Sequence, residues 1–359
     1  MNKCTSSVTR WHKPIEWECQ GEDAIMVASM AHFDLVAIGD STLDRFLLIH
    51  EATVTCSVNK SACSLCMEYA EKIPLERIVN IPGAGNASNA AIGASRLGMN
   101  TAIVSVIGND ESGRAVLKQW DKEDVNTSLV QVDKKHPSNE SIVLSFQGER
   151  TILTHAEPHA YKLPRLPETD WIYYTALGAG HEKLESSLLA HLDKHSDTHL
   201  LFNPGTTQLR RGLAAISPVI ERSTVFVVNK EEAQKLLGEE LPHPRDLALP
   251  FLRMGAEIVV ITDGAKGSFA TTQDEAWVCP IFPGEVIERT GAGDSFATAF
   301  LVALHEGKPI PEAMRWGTAN STSVVKYIGP QEGLLTSASL KKSLTRHSSI
   351  KPKYTSYAR

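Results

Sequence analysis

The sequence has no excess of positive charge: 36 Lys and Arg stand against 42 Asp and Glu, a net charge of −6 over 359 residues. It therefore lacks the overall basic footprint that grips a nucleic-acid backbone. Nor does any apolar run approach the roughly 18 residues needed to cross a bilayer. The first 30 residues carry charges throughout, and their longest apolar run, AIMVA (24–28), is too short for the core of a secretion signal. Cysteine is scarce, six in all, so the chain is no disulfide scaffold. The Walker A pattern GxxxxGK[ST] is absent, which disfavours a P-loop kinase or GTPase. A G-x-S-x-G elbow and a Ser-His-Asp order are absent too, which disfavours a hydrolase. These absences predict a cytoplasmic protein with neither nucleic acid nor membrane as partner.

What remains is a composition of 42% hydrophobic and 22% charged residues, that of a globular protein long enough to bury a large core. Short apolar runs read as buried strands: 33–40, 101–108, 170–177, 199–205, 224–230 and 257–264. Helical patterns lie between them, among them 86–98, 113–124, 182–195 and 230–238. Such alternation predicts a mostly parallel sheet covered on both faces, with ligands at the carboxyl ends of the strands. Residues 44–80 and 135–156 interrupt the alternation. The second contains a hairpin pattern (141–155) turning at Gln147-Gly148, and together the two predict a small β-rich cover over one end of the sheet. The last stretch, 336–359, has six Lys or Arg and no acid, and is expected to be a frayed, solvated basic tail. Residues 1–32 look unlike the rest of the chain and are expected to be a poorly ordered leader.

The most informative stretch is ERTGAGDSFATAF (288–300). Phe296, Ala299, Phe300, Ala303 and Leu304 recur at helical spacing, and Gly307 with Pro309 marks the end of that helix. Its entrance, Thr290-Gly291-Ala292-Gly293, has almost no side chain to shield its backbone N–H groups from an approaching anion. A helix N-terminus adds unpaired donors and partial positive charge, which favours the ionised form of Asp294. An anion cradle with a carboxylate at its lip points to transfer of a charged group. The plain alternative is a glycine turn with an N-capping aspartate. A second glycine stretch, GAGNAS (83–88), imitates a dinucleotide fingerprint but has Ser88 at the third glycine and follows Ile81-Pro82 in place of the first strand, so an NAD enzyme is disfavoured.

Three of the cysteines cluster: Cys56, Cys63 and Cys66, the last two as CxxC. With His50 as a fourth ligand they would suit zinc; reduced thiols or a redox pair are the alternative.

RTGAGDSF (289–296) and GAGNASNAAIGASRLG (83–98) resemble the two signatures of the ribokinase-like (PfkB-type) carbohydrate kinases. VAIGDSTLD (36–44), IGNDESG (107–113), NKEE (229–232), TDGAKGS (262–268) and GPQEGLLT (329–336) resemble further family elements, in the family's order. The resemblance runs from about Phe33 to Thr336. It implies an α/β, ribokinase-like three-layer sandwich with a mostly parallel central sheet and a small β-rich lid. The kinase domain would span 33–335, with lid segments at about 44–80 and 135–156. It further implies ATP-dependent phosphorylation of a hydroxyl, usually on a sugar, with Mg2+ as cofactor.

On the positions that match, the resemblance makes Asp294 the base and Thr290, Gly291, Ala292 and Gly293 the anion hole. Asp44, Gly85 and Asn89 match binders of substrate hydroxyls; the plain readings are a strand-end turn for Asp44 and a helix-start cap for Asn89. Asn229 and Glu232 match residues that organise magnesium, Glu232 through water, although NKEE alone would be an ordinary N-cap. Thr262, Gly264 and Gly267 match the nucleotide loop, and Asn320 a residue near the adenine. Two departures stand out. Ala84-Gly85 replaces the family's glycine pair, and Glu288 stands where an aspartate accompanies a monovalent-cation site, which puts potassium activation in doubt. A sugar phosphate would need basic partners, and Lys134, Lys135, Arg150 and Lys162 lie near the lid. The alternatives are a nucleoside kinase and, in another class, a sugar- or nucleotide-binding protein without catalysis. Open lid edges suggest a homodimer.

Overall fold

The computed structural model describes residues 32–57 and 63–355. The expected leader, save His32, therefore lies outside the described residues, as do 58–62 of the cysteine segment and 356–359.

In chain order the first strands are β1 (His32–Ile38), β2 (Thr42–Ile49), β3 (Thr53–Cys56), β4 (Cys63–Cys66) and β5 (Leu75–Ala84). The helix Asn86–Leu97 leads to β6 (Thr101–Val104) and β7 (Val106–Gly108), and the helix Glu111–Lys122 to β8 (Gln131–Asp133). A hairpin of β9 (Glu140–Phe146) and β10 (Glu149–His155) precedes β11 (Glu168–Tyr174). Strands and helices then alternate through β12 (His199–Phe202), β13 (Val225–Asn229) and β14 (Ile258–Thr262). The chain continues through β15 (Ser268–Thr271), β16 (Ala276–Cys279) and the late β17 (Lys353–Tyr354).

Nine strands form the central sheet in the order β17-β16-β15-β14-β13-β12-β11-β1-β6. The pairs from β6 through β14 are parallel and those beyond β14 antiparallel. Each parallel strand is apolar on both sides because both sides are covered. Along β13, Val225 and Val227 face one core with the helices Asn86–Leu97, Ala292–His305 and Ile310–Val324. Phe226 and Val228 face the other, with the helices Glu182–Leu192, Leu213–Glu221 and Pro244–Met254. Helix, sheet and helix make the three layers that the motif resemblance implied.

A second sheet, β10-β9-β2-β5, is the expected β-rich cover. Its hairpin turns at Gln147 (φ 52) and Gly148 (φ 80), the paired left-handed conformations that match strand twist. Asp44 lies inside β2, opposite Ile81 and Ser141, and not in a strand-end turn. The single strand expected over 101–108 is two: β6 joins the central sheet, and beyond Ser105 β7 pairs with β8. Ser105 is buried, its hydroxyl bonded to that of Ser41 at 3.2 Å.

The C-terminal stretch is not frayed within the described residues. Thr336 caps a helix, Ser337–Arg346, by accepting from Ser339 N. Leu340 is buried against the core and Leu344 packs on it. Arg315 donates to the carbonyls of Leu344 and Ile350, and Phe282 stacks on His347. β17 then adds to β16, with Tyr354 against Trp277. The basic residues Lys341, Lys342, Arg346, Lys351 and Lys353 lie on the solvent side of a docked segment, which the charge count could not distinguish from a free one. No helix among the described residues is long and apolar enough to cross a membrane.

Candidate active site

Asp294 sits in the first turn of the helix Ala292–His305, behind the cap residue Gly291 at φ 77. Only glycine suits that position: the conformation is left-handed, and a methyl group would collide with Pro330. The N–H groups of Gly291, Gly293 and Asp294 have no acceptor among the described residues, while Ala292 N reaches the Arg289 carbonyl at 3.3 Å. A methyl on Gly293 would meet nothing within 4 Å, so space opens directly in front of these donors. The unshielded entrance inferred from sequence is thus present around 291–294. Thr290 does not share in it. Both its N–H (2.8 Å) and its hydroxyl (2.6 Å) donate to Glu288 Oε1. Of the expected anion hole, Thr290 has both of its donors engaged by Glu288.

The Asp294 carboxylate is held at both oxygens. Asn86 Nδ2 donates to Oδ1 and Asn89 Nδ2 to Oδ2, each at 2.8 Å. Asn86 and Asn89 are three apart on the helix Asn86–Leu97, so their amides project from one face. Burial pushes the Asp294 pKa above the carboxylate range; the two amides and the charge of Arg150 restrain the rise. Asn89 is no helix cap, for it lies inside the helix and its side chain is engaged on the carboxylate and, at 3.3 Å, by Gln331. Gln331 also donates to the Gly83 carbonyl, tying the 329–336 motif to the 83–98 motif. Gly85 has φ 95, and a methyl there would lie 2.6 Å from the Asp40 carbonyl, so this glycine is fixed by backbone approach.

Asp44 is buried, accepts from Thr42 Oγ1 at 2.6 Å, and has its pKa raised by burial and by the charge of Glu288. Glu288 is itself buried, with Arg150 Nε from β10 at 3.8 Å and Gly329 N at 3.3 Å. Of the four basic candidates, Arg150 alone meets this network; Lys134, Lys135 and Lys162 are exposed.

Asn229 and Glu232 form the capping box that the local pattern allowed. Asn229 Oδ1 accepts from Glu232 N at 2.8 Å, and Glu232 Oε2 from Asn229 N at 2.9 Å. Burial raises the Glu232 pKa, and the charge of Asp294 raises it further. A half-buried carboxylate that feels the charge of a buried one suits a cation beside it. Thr262 ends β14 beside Asn229, and the turn after it is shaped by Gly264 (φ 50) and Gly267 (φ 94). A methyl on Gly264 would meet open space, whereas one on Gly267 would strike the Cys279 carbonyl. Asn320, expected near the adenine, turns its side chain inward. It is fully buried, its Nδ2 donating to the Ser295 carbonyl at 2.8 Å and its Oδ1 accepting from Leu335 N at 2.9 Å. Its role is to brace the helix Ala292–His305 from behind.

The zinc alternative for the cysteine cluster is corrected as well. Cys56 and Cys63 face each other across β3 and β4 and are joined as a disulfide, while Cys66 pairs in register with Thr53 and is free and exposed. Sulfurs bonded to each other offer zinc no thiolates, and His50 pairs with Glu76 at 3.1 Å instead. The redox reading is the one this pairing permits.

Sequence reasoning missed Asn86 and Gln331, although both lie inside recognised motifs. The spacing of Asn86 and Asn89 on one helical face was the available signal for the first. Gln331 meets its partners across 242 and 248 residues, for which the sequence holds no local signal.

A doubly covered parallel sheet, with a buried carboxylate beside uncommitted N–H groups at the carboxyl ends of its strands, defines an α/β enzyme that handles an anionic group. The chain belongs to the pfkB family carbohydrate kinases, whose family model matches residues 48–337. It is therefore a carbohydrate kinase with the ribokinase-like fold. It is 29% identical over 254 residues to an uncharacterised sugar kinase of Archaeoglobus fulgidus, covering 68% of this chain and 98% of that protein. It is 27% identical over 277 residues to 5-dehydro-2-deoxygluconokinase 2 of Bacillus cereus, covering 71% of this chain and 83% of that one. In fold it is similar to Arabidopsis thaliana ribokinase solved with ribose and ATP, with a TM-score of 0.70, 19% identity, and 88% of this chain and 99% of the other covered.

Proposed function

We propose that this kinase transfers the terminal phosphoryl group of ATP to a hydroxyl of a sugar or sugar derivative, with Asp294 as the base. The observation that carries this reading is the state of Asp294. It is a buried carboxylate, gripped at both oxygens by Asn86 and Asn89, at the mouth of a helix whose N–H groups at 291, 293 and 294 are uncommitted.

A base for this step must lie within hydrogen-bond reach of the attacking hydroxyl and be ionised before transfer. The two asparagines fix the direction of the carboxylate and favour its charged form, while burial raises its affinity for the proton it receives. The uncommitted N–H groups are aimed at the charge that develops on the transferring group, an effect worth roughly 3–4 kcal/mol per donor. Glu232, and Asn229 beside it, would hold magnesium through its water shell, as the charge of Asp294 acting on Glu232 suits. When bound, that ion neutralises phosphate charge. Thr262, Gly264 and Gly267 would take the nucleotide, and Asp44, Gly85 and Asn89 would line the acceptor side, Asn89 chiefly by orienting the base. Arg150 supplies a positive charge beside Glu288, where the family's aspartate accompanies a monovalent cation, so potassium dependence is not expected. The free edges β5 and β10 of the lid would pair two copies, and the setting is cytoplasmic.

The test is ADP release from ATP and magnesium against sugars, 5-dehydro-2-deoxygluconate, sugar phosphates and nucleosides, with Asp294→Ala alongside. Turnover with a sugar-type acceptor that the substitution abolishes supports the reading. Turnover with nucleosides alone moves the acceptor class. ATP binding without turnover across the panel favours a binding protein.

A further inference from the structure

The hairpin of β9 and β10 leaves the body of the protein after β8 and returns to it before β11, and its two roots meet at one carboxylate. Asp133, the last residue of β8, places Oδ2 2.9 Å from Nδ1 of His136 on the outgoing root. The same oxygen lies 3.0 Å from Nδ1 of His159 on the returning root. All three ligand atoms lie within 4.8 Å of one another. We propose that Asp133, His136 and His159 form a binding site for a zinc-class divalent metal ion that clamps the base of the lid hairpin.

The donor set fits such an ion. Two imidazoles and one carboxylate are ligands of zinc and its d-block neighbours, whereas magnesium takes oxygen. Ligands about 2.0 Å from a tetrahedral ion stand about 3.3 Å apart, so separations of 2.9 and 3.0 Å need only a few tenths of an ångström of widening. The carboxylate is already oriented. Its Oδ1 accepts from Lys135 N at 2.8 Å and, at 3.3 Å, from His136 N, which leaves Oδ2 as the single oxygen facing the rings. The rings stand edge to face, 84° apart, as two ligands converging on one point from different directions.

His159 supplies a second, independent observation. It is buried, and its Nε2 has no hydrogen-bond partner among the described residues. A ring whose Nδ1 donates to Asp133 leaves Nε2 as a bare acceptor. With Nδ1 on a metal, the ring proton sits on Nε2 instead, and a ring N–H beside a carboxylate is the usual outer arrangement of a metal-bound histidine. Asp40 is a carboxylate within electrostatic reach of His159, and one of its oxygens has no partner among the described residues. On metal binding each neutral ring keeps its single proton, which moves from Nδ1 to Nε2, and the ion replaces two hydrogen bonds by three bonds joining both roots of the hairpin to β8. The tip of that hairpin carries Arg150, which faces Glu288, so the clamp fixes the element that brings this charge to the active site.

The test uses the untagged full chain with its disulfide intact. Zinc is titrated calorimetrically after dialysis against chelator, and cobalt(II) serves as an absorbing substitute. The expected result is about one equivalent bound, with a cobalt d–d spectrum of low coordination number. His136→Ala and Asp133→Asn should weaken binding at least about tenfold, while the exposed His155→Ala leaves it unchanged. His136 is partly exposed, so its loss leaves the fold intact, which a melting curve checks; His159→Ala, in the core, is read only if that curve is normal. No binding by the parent protein overturns the proposal. So does binding that survives His136→Ala, including binding that vanishes only with His32→Ala, which would put the ion at the surface cluster of His32, Asp34 and Asp170.

Discussion

Asn86 and Asp294 are 208 residues apart in the chain and 2.8 Å apart in the fold, amide nitrogen to carboxylate oxygen. With Asn89 on the other oxygen, the helix Asn86–Leu97 aims the carboxylate from outside the element that carries it. Asn86→Ala removes one brace and a donor to the ionised form. It is expected to lower kcat about 10–100-fold and to shift the acid limb of the rate profile to higher pH. Asn89→Ala should do the same. The double variant should fall short of the product of the two effects, because one carboxylate receives both bonds. Steady-state kinetics on the three variants with correctly folded protein checks this.

The pH profile is set by the state of Asp294. Burial holds its pKa above the ordinary carboxylate value, and a base works only when ionised. The rate is therefore expected to fall as pH drops through that raised value, before ordinary carboxylates titrate. Asp294→Asn should lose about 10²–10⁴-fold in kcat, and its residual rate should lack that acid limb. A variant that keeps the limb would assign it to another group.

Two neighbouring glycines separate fold from chemistry. Gly291→Ala forces a left-handed alanine against Pro330, so stability and activity are expected to fall together. At Gly293 a methyl group meets nothing, and melting should be unchanged within about 0.5 kcal/mol. If phosphate lies in front of these donors, the same methyl enters its space, and kcat/KM for ATP should drop at least tenfold. Equal activity of Gly293→Ala and the parent would remove the anion hole from this turn.

Much of the fold and site was legible in the sequence because each legible feature is local. Apolar runs bounded by glycine became the parallel strands, and Gln147-Gly148 became the hairpin turn. The TGAGD stretch became a bare helix entrance. The helices Leu213–Glu221 and Pro244–Met254 hold Pro218 and Pro250 inside them, residues that interrupt a helical pattern in sequence. The tail 336–359 looked free because charge is visible in sequence, while the burial of Leu340 and the pairing of β17 depend on distant partners. Asn320 matched a motif position, yet its amide is spent on the Ser295 carbonyl and Leu335 N, both set by tertiary packing. The meeting of Asp133, His136 and His159 likewise arises only when the hairpin returns to its root.

Asp40 gives a stability test independent of catalysis. Its carboxyl accepts from Tyr161 and Gly178 N on one oxygen, the other has no partner among the described residues, and burial pushes its pKa up to about 6. Between its ordinary value and about 6 the native state binds more protons than the unfolded state, so this group's stabilisation is complete at low pH. It is lost as pH rises through about 6, by at most about 3 kcal/mol. Asp40→Asn should remove that slope. Urea midpoints from pH 4 to 8 should show the difference between variant and parent growing across this window and flat above it.

The disulfide of Cys56 and Cys63 closes a hairpin whose strands β3 and β4 belong to neither large sheet. A cross-link chiefly restricts the loop it closes, and a loop of this length is worth about 2–3 kcal/mol to the structure it constrains. That structure here is the hairpin and not the core, and every residue of β3 is exposed. Reduction, or Cys63→Ser, is therefore expected to leave the main melting transition within about 1 kcal/mol and kcat unchanged. Amide exchange should quicken in 53–56 and 63–66. If kcat instead falls on reduction and recovers on oxidation, with exchange also changing in β2 and β5, the hairpin is coupled to the lid sheet and the pair acts as a redox control on the site beneath it.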